Sequence, residues 1–156
     1  NIPDNGIDKP AIPEGLNVPT IDWGKTKNDV LQLMDDYELI YLDDNTLVFD
    51  GLGLEKIISY SFEDNKLNAS IVFVDSSKIT LTELNKLFIS YKKTNDEYGG
   101  YLSSDDATYA NITNSGNYYC IGWAVCDAPN NTGNDGNNED NEKPIGTANN
   151  KICYTK

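Results

Sequence analysis

Cysteine, carboxylate and tyrosine are the side chains of this sequence whose spacing could do chemistry. Cys120 and Cys126 stand six residues apart on one extended run. That separation is roughly 20 Å, too far for the two to pair with each other. A final strand folding back antiparallel beside 118–126 would place Cys153 opposite or diagonal to Cys126. The expected cross-link is therefore Cys126–Cys153, closing the base of the intervening loop and contributing about 3 kcal/mol by loop-entropy reasoning. Cys120 is left as a small buried thiol. A catalytic thiolate needs a neighbouring cation to lower its pKa, and the sequence contains neither histidine nor arginine.

The loop between Cys126 and Cys153 is rich in oxygen ligands. Asn131, Asp135, Gly136 and Glu142 fall at positions one, five, six and twelve of an EF-hand register, which would suit calcium. Position three is Gly133, the usual apolar position is Asn138, and no helical pattern flanks the loop. Calcium at Asn131, Asp135 and Glu142 therefore stands as an alternative to an ordinary solvated loop, and no cofactor is expected. Carboxylates also occur as adjacent pairs, Asp35-Asp36, Asp43-Asp44 and Asp105-Asp106. A glycoside hydrolase needs two carboxyls facing each other across a cleft, one kept neutral by burial. Adjacent aspartates in turns diverge and serve the turn itself, which leaves a carboxylate-based hydrolase as the outside reading. No phosphate loop, nucleophile elbow, dinucleotide fingerprint or zinc spacing is present in the sequence.

Tyr98, Tyr101, Tyr109 and Tyr118 gather in the second half among glycine, serine and asparagine. Aromatic faces beside amides and hydroxyls suit sugar rings, so these four are candidate glycan-binding residues. The plainer account is that tyrosine is favoured at strand positions.

Composition narrows the partners. The 156 residues carry a formal net charge of −13, and the basic side chains number 12, all lysine. Lys92-Lys93 is the longest basic run. Nucleic acid and anionic membrane surfaces need clustered cations, so neither is an expected partner. Without histidine the commonest general base and metal ligand is missing. Without arginine there is no bidentate clamp for phosphate or carboxylate. The chain begins at Asn1 without a methionine, and no apolar run is long enough to span a membrane. We read it as a piece or processed form whose export signal, if any, has been removed. Three cysteines in an acidic, asparagine-rich chain suit an oxidising compartment, secreted or at the outer cell envelope.

These side chains must be positioned by a frame that the sequence spells twice. Thr26, Asp29, Val30, Leu33, Met34 and Tyr37 are matched in order by Thr80, Glu83, Leu84, Leu87, Phe88 and Tyr91. Each set is a hydroxyl N-cap, a carboxylate three residues on, and an apolar stripe ending in tyrosine, which predicts a capping box and an amphipathic helix. Ile79 and Leu84 are placed as a hydrophobic staple. Strands are expected at about 38–42, 46–50, 55–62 and 67–74 after the first helix. After the second they are expected at 97–102, 107–113, 118–126 and 151–155. Leu67, Ala69, Ile71 and Phe73 would share one face, against Asn68 and Ser70 on the other. Tyr119, Ile121, Trp123 and Val125 would face the helix, with Cys120, Gly122, Ala124 and Cys126 facing away.

The expected fold class is α+β, two repeats of one helix followed by a three- or four-stranded antiparallel sheet. Residues 1–22, with Pro3, Pro10, Pro13 and Pro19, are expected as an extended tether. Residues 23–156 are expected to form a single domain, with repeat one at 23–75, repeat two at 79–156 and a mobile loop at 127–150. The pattern at Thr26/Asp29 and Thr80/Glu83, with the stripes that follow, resembles the tandem-repeat architecture of the beta-lactamase-inhibitor protein family. It is also similar to small outer-membrane assembly lipoproteins built on one such unit. The Pro-rich leader and acidic body are similar to uncharacterised exported lipoproteins of Gram-negative bacteria, which would put a lipid-bearing cysteine upstream of Asn1. The first resemblance, which covers about residues 24–126, implies a sheet face that grips a partner protein. The expected function is a non-catalytic, exported or surface-anchored module that binds a protein, with glycan binding as the alternative.

Overall fold

The computed structural model describes residues 11–94 and 99–126. Two short helices lie against an antiparallel sheet. The first, α1 (Lys27–Leu33), precedes β1 (Leu39–Leu42), β2 (Thr46–Asp50), β3 (Glu55–Glu63) and β4 (Lys66–Asp75). The second, α2 (Leu81–Asn85), runs into a 3₁₀ turn (Lys86–Phe88) and precedes β5 (Lys92–Lys93), β6 (Tyr101–Leu102), β7 (Thr108–Ser115) and β8 (Tyr118–Val125). None of the described helices is long and apolar enough to cross a membrane.

The expected pair of separate helix-plus-sheet repeats is corrected by the strand order. All eight described strands form one sheet, β1-β2-β3-β4-β8-β7-β6-β5. β4 and β8 pair directly from Ala69↔Ala124 to Asp75↔Tyr118. The physical reason is the strand edge. A sheet ending at β4, or one ending at β8, would leave a long row of unpaired N–H and C=O groups, and pairing the two satisfies both.

Local signals are met at the helix starts. Thr26 with Asp29 and Thr80 with Glu83 each form the reciprocal capping box. The helices are shorter than the stripes predict, and Leu33 points to solvent at 54% exposure while Val30 and Met34 are buried. The β3–β4 hairpin turns at Asp64 and Asn65, both at positive φ (52° and 60°), as a tight two-residue turn requires. Two residues on, the ladder slips: Phe62 pairs with Leu67 and Ser61 with Ala69, leaving Asn68 as a bulge. Leu67 therefore joins Ser70, Val72 and Val74 in the core, and not Ala69, Ile71 and Phe73 as expected.

The helix-side core is built in transverse rows. One runs Leu47, Tyr60, Ser70, Trp123, Ala110 and Tyr101 across six strands. Beneath α1, Tyr37 meets Phe49 edge-on at 6.5 Å, and Phe49 meets Tyr60 at 6.0 Å. Beneath α2, Phe88 stacks on Tyr101 at 4.7 Å and lies 5.8 Å from Trp123. Ile79 and Leu84 both enter this core.

Residues 11–22, read from the sequence as part of a tether, are bound to the same face. Leu16 and Pro19 are buried. The Ser70 hydroxyl donates to the Thr20 carbonyl at 2.7 Å, and the Leu54 N–H donates to the Gly15 carbonyl at 2.8 Å. The indole N–H of Trp23 donates to the Thr108 hydroxyl at 2.9 Å. The segment crosses the sheet from the 3₁₀ turn after α2, where Ala11 N–H reaches the Lys86 carbonyl, to β4, where Leu67 N–H reaches the Lys25 carbonyl. Proline here sets an extended path along apolar surface, which serves packing as readily as standing off from it.

Candidate functional site

The helices and the leader cover one face of the sheet, and the alternation of side chains sends a different set to the other. Its central row is Tyr41, Val48, Ser59, Ile71, Gly122 and Asn111, read straight across six strands. The next row is Asp50, Ile57, Phe73, Cys120 and Thr113. None of these residues is buried. At about 4.8 Å between strands, the central row spans roughly 24 Å. Val48, Ile57, Ile71 and Phe73 give the middle an apolar character, with serine, threonine and asparagine around them. Gly122 makes a dip at the centre. A Cβ placed there would meet Asn111 Oδ1 at 3.7 Å and Ile71 Cγ1 at 3.9 Å, ordinary contact distances. Sterics within the chain therefore do not demand glycine at this point.

Cys120 lies on this face as a half-buried free thiol. Burial pushes its pKa up, against a weaker opposing effect of Thr113, so it stays protonated and is a poor nucleophile. The expected Cys126–Cys153 link falls on Cys153, outside the described residues. Cys126 directly follows β8, its N–H bonded to the Ala107 carbonyl at 2.9 Å. The calcium candidates Asn131, Asp135 and Glu142 also lie outside the described residues, as does the expected strand at 151–155.

The tyrosines proposed as a sugar platform are not brought together. Tyr101 is on the helix side, stacked on Phe88, with its hydroxyl donating to Asn85 Oδ1 at 2.7 Å. Tyr109 is on the opposite face, buried and seated over Gly100, where any Cβ would overlap its ring. Tyr118 shares that face at the far end of β8, opposite Asp75 and Ser115. Tyr98 lies outside the described residues.

The adjacent aspartates act as turn formers. Asp43 accepts the Asn45 N–H at 2.9 Å and the Tyr41 hydroxyl at 2.8 Å. These bonds hold its carboxyl below the usual range, the backbone donor contributing most. Asp105 does the same for the Ser103 hydroxyl and the Ala107 N–H. Asp35 and Asp36 are exposed. Among the described residues no three cysteine or carboxylate side chains converge in a metal-binding group.

Sequence reasoning missed Glu55. It is 2% exposed, yet its carboxylate accepts N–H groups from Asn17, Leu52 and Gly53 and the Asn17 side-chain amide. Burial by itself raises its pKa, and the donors together outweigh that and hold it below the ordinary glutamate value. With every oxygen so occupied, Glu55 ties the leader to the Gly51–Gly53 turn and is not a free acid or base. A glutamate two residues after Gly51-Leu52-Gly53 is the signal that could have pointed to it, since a tight turn exposes N–H groups for a carboxylate to collect.

No protein family, curated protein or solved structure matches this chain.

Proposed function

We propose that the chain is a non-catalytic, exported binding module that meets a protein partner across the open face of its sheet. The observation that carries this reading is the central row, Val48, Ser59, Ile71, Gly122 and Asn111, partly exposed on the side that, among the described residues, neither helix nor leader covers. Partly exposed apolar residues ringed by small polar ones form the composition of a contact surface with a polar rim. Gly122 supports the reading because glycine in a strand interior weakens it, and marks places where another chain approaches closely. The acidic charge favours a partner with basic groups over nucleic acid or anionic lipid. The glycan alternative draws no support from Tyr101, Tyr109 and Tyr118, which do not form one platform.

Site-specific photo-crosslinking in the native cell envelope tests the proposal. A photoreactive residue at position 71 is expected to capture a discrete protein that the same group at position 29, exposed on α1, does not. Identical products from the two positions would contradict it, and a positive glycan array lost in Tyr118→Ala would replace it with the sugar reading.

A further inference from the structure

The two ends of the sheet are unlike each other. β5 is two residues long and carries Lys92 and Lys93, the kind of charged, short edge that resists pairing. β1 at the other end is Leu39, Ile40, Tyr41 and Leu42, exposed by 37%, 48%, 52% and 54%. It pairs with β2 on one side, and among the described residues no hydrogen bond reaches its other side. The β1–β2 ladder shifts register between Leu39 and Tyr41, and beyond that shift successive N–H groups of the strand point to opposite edges. The Asp43 N–H points inward to the Thr46 carbonyl at 3.0 Å, so that of Leu42 points outward.

The charges around this edge decide what would pair with it. Glu38 precedes the strand, and Asp43 and Asp44 follow it, all exposed. Neither ion pair formed among the described residues, Lys25–Asp22 or Lys92–Asp106, involves them. Lys27 is spent on the backbone carbonyls of Asp43 and Asp44, at 3.0 and 2.9 Å. A second copy pairing antiparallel through β1 would set Glu38 of one chain against Asp43 of the other at both ends, a repulsive arrangement.

We propose that the outer edge of β1 accepts an extended strand of another protein, apolar at alternate positions and carrying lysine or arginine beyond each end of the paired stretch. Main-chain hydrogen bonds give such an addition its affinity, and the flanking charges give it direction and selectivity. The inference does not rest on the open-face reading, because the edge and the face are separate surfaces.

The test uses two synthetic peptides of alternating valine and threonine, one with lysines at both ends and one with glutamates. The lysine peptide is expected to bind and to slow hydrogen exchange at the Leu42 amide by at least about tenfold, with the glutamate peptide roughly tenfold weaker. Leu42→Pro removes the outward donor at an edge position where proline is tolerated, and abolishes binding. Should that variant lose stability, the double variant Glu38→Lys, Asp44→Lys decides, since it reverses the preference between the peptides. Gly122→Val leaves peptide binding unchanged, which separates this edge from the open face. Equal binding of both peptides, no slowing at Leu42, or a dimer in sedimentation that Leu42→Pro dissolves would each overturn the proposal.

Discussion

The carboxylate of Glu55 receives Asn17 twice, from its main-chain N–H at 2.8 Å and from its side-chain amide at 2.9 Å. This contact bridges 38 positions in sequence and joins the leader to the start of β3. Hydrogen bonds to a charged group contribute about 1.5–3 kcal/mol each, net of the bonds to water they replace. Glu55→Gln keeps the shape and loses the charge, and is expected to lower stability by about 2 kcal/mol in urea unfolding. A change below about 0.5 kcal/mol would show the contact to be incidental.

The same group gives stability a direction in pH. Its folded-state pKa lies below the ordinary value of 4.5, so its contribution is complete above that value. It is lost as pH falls from there through the folded pKa. Glu83 and Asp29, lowered by their cap bonds, act in the same sense. Wild type is expected to lose stability faster than Glu55→Gln on acidification below about pH 4.5, and the two urea midpoints should converge.

The leader behaves as core. Leu16→Ala is expected to cost about 2–4 kcal/mol, the range for a buried leucine, where a free tether would give no change. Thr108→Val leaves the Trp23 indole N–H without its acceptor and costs about 1–3 kcal/mol. A double-mutant cycle with Trp23→Phe should return a coupling above about 0.5 kcal/mol.

Much of the local structure was legible. Thr26 with Asp29 and Thr80 with Glu83 cap their helices because the capping interaction is made within four residues. The alternation of Ile121 and Trp123 against Gly122 and Ala124 told the faces of β8 apart for a similar reason, since a strand's pleat is local. What failed depends on partners far along the chain. Nothing within 66–75 says that this strand will pair with 118–125, and nothing in the apolar alternation marks Asn68 as the bulge that moves Leu67 into the core. The prolines of the leader fix its extended shape, but the groove it occupies is assembled by Tyr60, Ser70 and Glu55. Tyr60 shows the depth of that burial: its hydroxyl bonds Thr20 and Met34, and burial pushes its pKa up to about 12. The open face was legible only as the place where the small residues of β8 point.

Thiol chemistry checks the cysteines. With pKa raised by burial, Cys120 should react with a thiol reagent at pH 8 much more slowly than an exposed cysteine, and match it only after unfolding. Non-reducing peptide mapping is expected to find Cys126 joined to Cys153, and reduction to remove about 3 kcal/mol. Fast labelling of three thiols in the native protein would contradict both.

Gly122 separates stability from recognition. The site has room for a methyl group, so Gly122→Ala should stabilise the protein by about 0.5 kcal/mol through the unfolded chain. A loss of more than about 1 kcal/mol would mean that the strand backbone there is less accommodating than the distances indicate.

The open face stands or falls on one comparison: the affinity of the protein captured from position 71 for wild type and for Gly122→Val. The variant sets a branched side chain in the central dip, so affinity, compared under conditions where both proteins are fully folded by their urea midpoints, should fall at least about tenfold. Equal affinity under those conditions would show that the partner does not rest on this face.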